Sequence, residues 1–250
     1  MKAFCFIFAG LWLILHNATS ETIPVRYDNY KVFRVNIPND MSADFILNLP
    51  SYVDIWAEPR VGHHSDIMVA PQHLQAIEDN LKRANMDYSI MIQNVQTLID
   101  IQNTKISKEL IPKARAGHPM TWDEYHSLAD IEAYMYYLVE TFPDIVSIEE
   151  IGTTYEGREM RVLKICKGGV CGQKPGIWVD GGIHSREWVA MSTATFMMEE
   201  LVENSDQYPA ELLEKLDWYI LPVLNPDGYE YSRTSHRFWR KSRYVSDINI

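Results

Sequence analysis

The sequence has few cysteines, few basic residues and almost no long apolar segments, and each shortage excludes a class of protein. Its 250 residues include three cysteines, too few for a disulfide scaffold or for a zinc site made of cysteine alone. Lysine and arginine number 23 against 34 acidic residues, and the resulting net charge of −11 argues against a nucleic-acid partner. A hydrophobic content of 46% excludes a wholly disordered or fibrous chain. The length suits one large domain or two modest ones.

The one long apolar segment lies at the N-terminus. Lys2 precedes an almost unbroken apolar run over residues 3–15, and the small residues Ala18 and Ser20 follow. This order is typical of a secretory signal peptide over residues 1–20, cleaved near Ser20. A membrane anchor is the alternative, but the run is shorter than the ~20 residues that cross a bilayer. We therefore expect a secreted, extracellular protein with no membrane attachment after the signal is removed.

Two cysteines stay with the secreted chain, because Cys5 would leave with the signal. Cys166 and Cys171 flank the segment KGGV, in which Gly168 and Gly169 suit a tight turn. In an oxidising compartment we expect this pair to close a small hairpin loop. Two free thiols are the alternative, because short loops often fail disulfide geometry. A metal-binding pair is less favoured, since no nearby residue completes such a site.

The pattern of strands and helices changes near residue 115. Over residues 21–115 short strands and helices follow the order β-α-β-β-α-β, which is typical of a ferredoxin-like open sandwich. The predicted strands cover residues 30–35, 54–57, 66–70 and 87–92, and a helix begins at Pro71. A polar helical stretch follows over residues 94–110, before Pro112.

A short basic segment separates the two parts of the chain. Lys113 and Arg115 stand among the small residues Ala114, Ala116 and Gly117. In a secreted protein this composition predicts an exposed site for a trypsin-like protease, with cleavage after Arg115. An ordinary solvated linker explains the local sequence equally well.

The second part, residues 116–250, follows an α/β pattern. Helices are predicted over residues 123–140, 187–202 and 210–216, and strands over residues 146–148, 160–165, 176–180 and 218–224. Because the strands alternate with helices and are apolar on both faces, we expect a sheet between two helix layers.

The residues with catalytic potential follow the third of these strands. His184 and Glu187 are spaced i, i+3 at a strand-to-helix junction, which can direct an imidazole nitrogen and a carboxylate at one point. Zinc accepts both ligand types, and open α/β sheets bind ligands beyond the carboxyl ends of their strands. The alternative is a carboxylate that merely complements the helix dipole. The same spacing recurs at His63 and Asp66, where we expect a solvated turn instead.

Several ordered motifs resemble those of the carboxypeptidase A/B family of zinc metallocarboxypeptidases. Residues 182–188 (GIHSREW) are similar to the family's zinc-binding signature, residues 225–229 (NPDGY) to its second signature and residues 237–243 (RFWRKSR) to a third. Residues 155–158 (YEGR) are similar to the start of the mature enzyme, and residues 21–115 resemble its activation peptide. The resemblance implies a secreted zymogen, with an inhibitory prosegment over residues 21–115 and the N-terminal half of a mixed-sheet α/β/α catalytic domain over residues 116–250.

The resemblance assigns roles to four side chains. His184 and Glu187 match the first two ligands of the family's catalytic zinc, whose ligand set is two histidines and a glutamate. Arg240 matches the arginine that polarises the scissile carbonyl and stabilises the oxyanion, a task that suits a fixed guanidinium. Arg186 matches a substrate-subsite arginine, with a surface ion pair as the alternative. The implied partners are peptide or protein C-termini and a trypsin-like activating protease.

Other parts of the family's site lie beyond Ile250 in this resemblance. They are the third zinc ligand, the residues that hold the substrate's terminal carboxylate, the general-base glutamate and the residue that sets side-chain preference. His236 is the only histidine after His184, and its place four residues before Arg240 does not suit a ligand. By default Arg237 and Arg243 are expected to be solvated charges.

Three hypotheses follow. The chain is the N-terminal part of a longer zymogen that in complete form removes C-terminal residues from peptides. Alternatively, it is a truncated product without catalysis, whose prosegment binds or inhibits a full-length relative. A third hypothesis is a secreted interaction protein that only retains the sheet. Zinc stoichiometry separates the first hypothesis from the other two, because two protein ligands alone bind zinc weakly.

Overall fold

The computed structural model describes residues 23–108, 118, 120–168 and 170–245, with the backbone alone over 103–108. The predicted signal peptide with Ser20 and the predicted processing site at Arg115 lie outside the described residues. No helix in the described part of the chain is long and apolar enough to cross a bilayer.

The first part of the chain forms a four-stranded antiparallel sheet with two helices in the β-α-β-β-α-β order. The strands are β1 (Lys31–Asn36), β2 (Asp54–Ile55), β3 (His64–Val69) and β4 (Tyr88–Ile92), and their spatial order is β2-β3-β1-β4. The helices are α1 (Asp40–Leu47) and α2 (Leu74–Arg83), and a 3₁₀ turn over Pro71–His73 leads into α2. The predicted ferredoxin-like sandwich is therefore confirmed.

Both faces of this small sheet are covered. Phe33 and Val35 of β1 pack in one apolar cluster with Ile46 of α1 and with Ile77 and Leu81 of α2. Val32, just before Phe33 on β1, is also fully buried, in a second cluster. That cluster includes Tyr27 of the N-terminal segment, Met68 of β3, and Val95 and Ile99 of the next helix. That helix is α3 (Val95–Lys108).

The second part of the chain forms a mixed sheet. Its strands are β5 (Val146–Thr153), β6 (Glu159–Ile165), β7 (Gly176–Asp180) and β8 (Asp217–Leu221), in the spatial order β5-β6-β8-β7. Only the β7–β8 pair is parallel. The helices are α4 (Leu128–Thr141), α5 (Trp188–Val202), the short α6 (Glu211–Glu214) and α7 (Pro226–Thr234), with a 3₁₀ turn over Ser205–Gln207. The buried cluster joins α4, α5 and the central strands.

Several elements differ from the sequence-based predictions, and three of the differences have a clear local reason. Helix α4 begins at Leu128 rather than at 123, because Ser127 and Asp130 form a capping box there. Strand β8 ends at Leu221, since Pro222 has no N–H to donate to a ladder. Helix α7 was not predicted; Asn225 accepts a hydrogen bond from the Gly228 N–H and caps its N-terminus.

The loop between β6 and β7 contains the expected disulfide bond between Cys166 and Cys171, with a Cα–Cα distance of 5.3 Å. The loop is not the turn of a hairpin, because β7 pairs with β8 and not with β6. The buried carboxylate of Asp217 accepts a hydrogen bond of 2.8 Å from the Gly172 N–H and lies 3.4 Å from the Lys174 ammonium. The start of β8 is therefore attached to the end of this loop.

Candidate active site

The candidate active site is a loop between β7 and α5, and two glycines allow it to lie against the helix. A Cβ atom at Gly181 would lie 2.7 Å from the Ala190 carbonyl oxygen and 2.8 Å from the Pro222 carbonyl oxygen. Gly182 has φ +72°, and a Cβ atom there would meet the Met191 side chain. Any larger residue at either position would push the loop away from α5.

His184 and Glu187 face each other in this loop. The Nδ1 atom of His184 lies 3.0 Å from Oε1 of Glu187, and the two side chains are 33% and 50% exposed. Glu187 is the N-cap residue of α5, yet its side chain makes no capping hydrogen bond. The carboxylate therefore contacts the imidazole and caps no helix N–H group, although its place at the N-terminus of α5 also complements the helix dipole.

The two side chains have the chemistry of zinc ligands. An imidazole nitrogen and a carboxylate oxygen directed at one point are two donors that zinc accepts at ~2.0–2.2 Å. Within the described ranges, no group of three or more histidine, cysteine, aspartate or glutamate side chains converges on a point. The donor set therefore fits two of the three protein ligands of a catalytic zinc.

Arg240 belongs to a segment next to this loop. The described residues after Thr234 form turns and bends only. Ser185, between the two candidate ligands, donates its N–H to the Arg240 carbonyl at 3.2 Å and its hydroxyl to the Trp239 carbonyl at 2.6 Å. The Arg240 side chain is exposed, and its guanidinium makes no hydrogen bond or ion pair within the described part of the chain.

Arg186 forms an ion pair with the first domain. Its guanidinium donates to Oδ2 of Asp54 at 2.8 Å, and the two side chains are 18% and 33% exposed. The indole N–H of Trp56 donates to the same oxygen at 3.0 Å. The sequence analysis gave a surface ion pair as the alternative role of Arg186. The structure shows such an ion pair, and its carboxylate belongs to the edge strand β2 of the open sandwich.

The expectation that Arg237 and Arg243 are solvated charges is wrong. Arg237 stacks 3.7 Å from the Trp188 ring centroid and donates to the Arg186 carbonyl at 2.9 Å, and its burial lowers its pKa to about 10. Arg243 stacks 3.7 Å from the Tyr231 ring and pairs with Glu156 at 3.1 Å. Aromatic neighbours distant in sequence hold both guanidinium groups, so the polar local sequence did not indicate their burial.

His236 lies in the contact between the two domains. Its Nδ1 atom lies 2.8 Å from the Tyr27 hydroxyl, and burial lowers the pKa of its imidazole. The adjacent Ser235 carbonyl accepts a hydrogen bond of 2.7 Å from the Val25 N–H. Phe238 completes the contact by packing against Tyr27, with ring centroids 4.7 Å apart. This contact was not foreseen, and no local pattern in the sequence indicates it.

The second His-x-x-acid pair does not resemble the first. The Asp66 carboxylate accepts two hydrogen bonds from Arg34, at 2.8 and 2.7 Å, across the β1–β3 ladder. His63 and His64 are exposed. The Asp66 carboxylate therefore already has a cationic partner.

Asp227 is a further site residue that the sequence analysis did not single out. Its carboxylate is 3% exposed and accepts hydrogen bonds from the Thr154 hydroxyl, the Glu156 N–H and the Arg158 guanidinium, at 2.7, 2.9 and 2.7 Å. Burial by itself would raise the pKa of Asp227, but these three donors together lower it. The YEGR and NPDGY motifs are thus joined through one buried anion.

Comparison with known proteins gives matches to two family models and to curated relatives. The family model described as "Zinc carboxypeptidase" matches residues 131–249, and the one described as "Carboxypeptidase activation peptide" matches residues 33–102. The zinc carboxypeptidase A 1 of Drosophila melanogaster is 35% identical over 246 residues, which cover 96% of this chain and 56% of that protein. The carboxypeptidase B of Helicoverpa zea is 32% identical over 226 residues, or 88% of this chain and 52% of that protein.

A solved structure has the same fold. The carboxypeptidase A of Helicoverpa armigera matches with a TM-score of 0.77 and 26% identity, over 89% of this chain and 55% of that one. The fold of two sheets, with an open sandwich that contacts the His-x-x-Glu loop through Asp54 and Arg186, matches the fold of this carboxypeptidase A. The chain belongs to the zinc carboxypeptidase family and carries the family's activation peptide. It spans about half the length of the curated relatives that it matches.

Proposed function

We propose that this chain is the N-terminal part of a secreted zinc metallocarboxypeptidase zymogen, which in complete form hydrolyses C-terminal residues from peptides and proteins. The observation that carries the proposal is the approach of His184 Nδ1 to Glu187 Oε1 at 3.0 Å, in a loop that the activation-peptide domain contacts through Asp54 and Arg186. The proposed division is a signal peptide over residues 1–20, a prosegment over 21–115 and a catalytic domain from 116 onward.

The side chains of this chain have distinct tasks in the proposed reaction. His184 and Glu187 would hold the zinc, and a bound zinc ion polarises a carbonyl and lowers the pKa of its water. The guanidinium of Arg240 would donate hydrogen bonds to the oxygen that gains negative charge as the carbonyl is attacked, and this interaction is strongest in the transition state. Arg186 would bind a carbonyl of the substrate chain, because its fixed donors suit a planar acceptor.

Latency follows from the same contacts. The Asp54 carboxylate binds the Arg186 guanidinium, which in our proposal binds substrate. The indole N–H of Trp56 holds that carboxylate in place. Cleavage after Arg115 by a trypsin-like protease would separate the two domains in sequence. The prosegment would then be held only by non-covalent contacts such as the Tyr27–His236 hydrogen bond, and its dissociation would expose Arg186.

One observation favours the second candidate function, in which the prosegment acts as a binding module on a full-length relative. The open sandwich has its own sheet and its own fully buried cluster, which includes Phe33, Ile46, Ile67 and Ile77. Inhibition of a complete relative by residues 21–115, with no zinc bound by the native product, would favour this function over the first.

The first experiment uses the complete secreted protein, encoded by the full reading frame, before and after trypsin treatment. We expect one zinc ion per chain and release of C-terminal residues only after cleavage. His184→Ala or Glu187→Gln should abolish tight zinc binding and turnover, whereas His63→Ala, in the second His-x-x-acid pair, should leave both unchanged. Zinc retained at full occupancy with normal turnover in either loop variant would refute the metal assignment.

A further inference from the structure

Three successive carbonyl groups of the Arg240 segment are held by donors from elsewhere in the chain. The Trp239 carbonyl accepts from the Ser185 hydroxyl at 2.6 Å, and the Arg240 carbonyl from the Ser185 N–H at 3.2 Å. The Lys241 carbonyl accepts from Nδ2 of Asn225 at 3.0 Å. Because the described residues after Thr234 form no helix or strand, these bonds take the place of a backbone ladder there.

Both donor residues are also connected to the loop that carries the candidate zinc ligands. Ser185 lies between His184 and Glu187, and it is fully buried. Nδ2 of Asn225 also lies 3.4 Å from the Ile183 carbonyl, directly before His184. Ser185 and Asn225 therefore attach the backbone around Arg240 to the backbone around the candidate ligands. No strand pairing of the described residues makes this connection.

Asn225 makes two separable sets of contacts. Its Oδ1 atom accepts from the Gly228 N–H at 3.0 Å and caps α7, while its Nδ2 atom makes the two donor contacts. The approach is close, since a Cβ atom at Gly228 would lie 2.5 Å from Nδ2 of Asn225 and 2.8 Å from the Lys241 carbonyl oxygen. An aspartate could keep the cap but would place an oxygen opposite the Lys241 carbonyl.

We propose that Ser185 and Asn225 are positioning residues that set the reach of the Arg240 guanidinium toward the reacting carbonyl. The inference rests on the proposed function, in which Arg240 stabilises the oxyanion. Neither residue touches substrate in this proposal. Both act through Arg240, so removing either donor lowers the rate only as long as Arg240 is present.

The test uses the complete, trypsin-activated enzyme with the substitution Asn225→Asp. We expect kcat to fall about a hundredfold with KM nearly unchanged, because a displacement of about 1 Å in a catalytic group costs this much. In an Arg240→Ala background the same substitution should have no further effect on kcat. The matched control is Asn204→Asp in the same domain, which likewise removes a side-chain amide donor, the one that bonds Glu200 at 2.8 Å, and should leave kcat unchanged.

A second measurement does not depend on activity. In the zinc-free precursor, hydrogen–deuterium exchange over residues 236–243 should be faster in Asn225→Asp and in Ser185→Ala than in the unsubstituted protein. Exchange there should be unchanged in the control Asn204→Asp. Equal loss of kcat with and without Arg240, or unchanged exchange in both variants, would overturn the positioning role. Absence of carboxypeptidase activity in the unsubstituted enzyme would refute the proposed function instead, and the exchange measurement would still decide whether the segment is held as described.

Discussion

Asp54 and Arg186 lie 132 positions apart in the sequence and form an ion pair of 2.8 Å between the activation-peptide domain and the candidate active-site loop. Asp54 is the first residue of the edge strand β2, so a short strand at the end of the small sheet presents its carboxylate to the second domain. In our proposal the first domain is the inhibitor and the Arg186 guanidinium binds substrate. The ion pair therefore joins the inhibitory domain to a substrate-binding group.

Neutralising this carboxylate should loosen the closed precursor. Asp54→Asn keeps the shape of the side chain but removes its charge, and a partly exposed ion pair contributes about 1 kcal/mol at most. We expect the residual peptidase activity of the uncleaved complete precursor to rise by up to about fivefold. Asp66→Asn, which breaks the pair with Arg34 within the small sheet, serves as the control. Equal residual activity in both variants would show that the Asp54 charge does not contribute to latency.

The domain contact at His236 should weaken as the pH falls. Burial lowers the pKa of this imidazole, even though the charge of Asp54 opposes the shift. A base with a lowered pKa binds fewer protons when folded, so its contribution to stability is constant above the unfolded value of about 6.5 and falls below it. The ring faces the Tyr27 hydroxyl and the rings of Tyr231 and Trp239.

His236→Gln removes the titrating group but keeps a polar partner for Tyr27. We therefore expect the difference in urea midpoint between pH 7 and pH 5 to be smaller in this variant than in the unsubstituted chain. His64→Gln, at an exposed position on β3, should leave the difference unchanged. An unaltered pH dependence in His236→Gln would contradict the prediction.

The buried carboxylate of Asp227 should contribute strongly to stability. Asp227→Asn would place an amide N–H against the donors of Thr154, Glu156 or Arg158, and we expect a loss of about 2 kcal/mol in the free energy of unfolding. Since the pKa of Asp227 is lowered in the folded state, this contribution is present at neutral pH and is lost as the pH falls through that pKa. Urea unfolding at several pH values measures both effects.

The control for Asp227 is a second carboxylate in the same domain. Asp180 is exposed and accepts a hydrogen bond of 2.9 Å from the Trp178 indole. Asp180→Asn should change the free energy of unfolding by less than about 0.5 kcal/mol. Similar losses in the two variants would mean that burial and the three donors at Asp227 are not the cause.

Sequence periodicity was sufficient for most of the fold because the deciding signals are local. The alternation around Phe33 and Val35 predicted β1, and the apolar spacing that includes Ile77 and Leu81 predicted α2. The predicted ends of elements were less accurate where a single capping residue or proline sets the end, as Ser127 sets the start of α4. Helix α7 was missed because its polar sequence has no apolar stripe and its first turn depends on the Asn225 cap.

The sequence by itself determined that His184 and Glu187 could meet, because their three-residue spacing at the entry to α5 places both on one short loop. It also determined the family, through motifs that stand in a recognisable order. Tertiary structure alone decided that Asp54 meets Arg186, that Tyr27 meets His236 and that Ser185 and Asn225 hold the carbonyls around Arg240. These contacts join segments whose local patterns are independent, and they form only because burial of the two domain cores and of Phe238 between them brings those segments together.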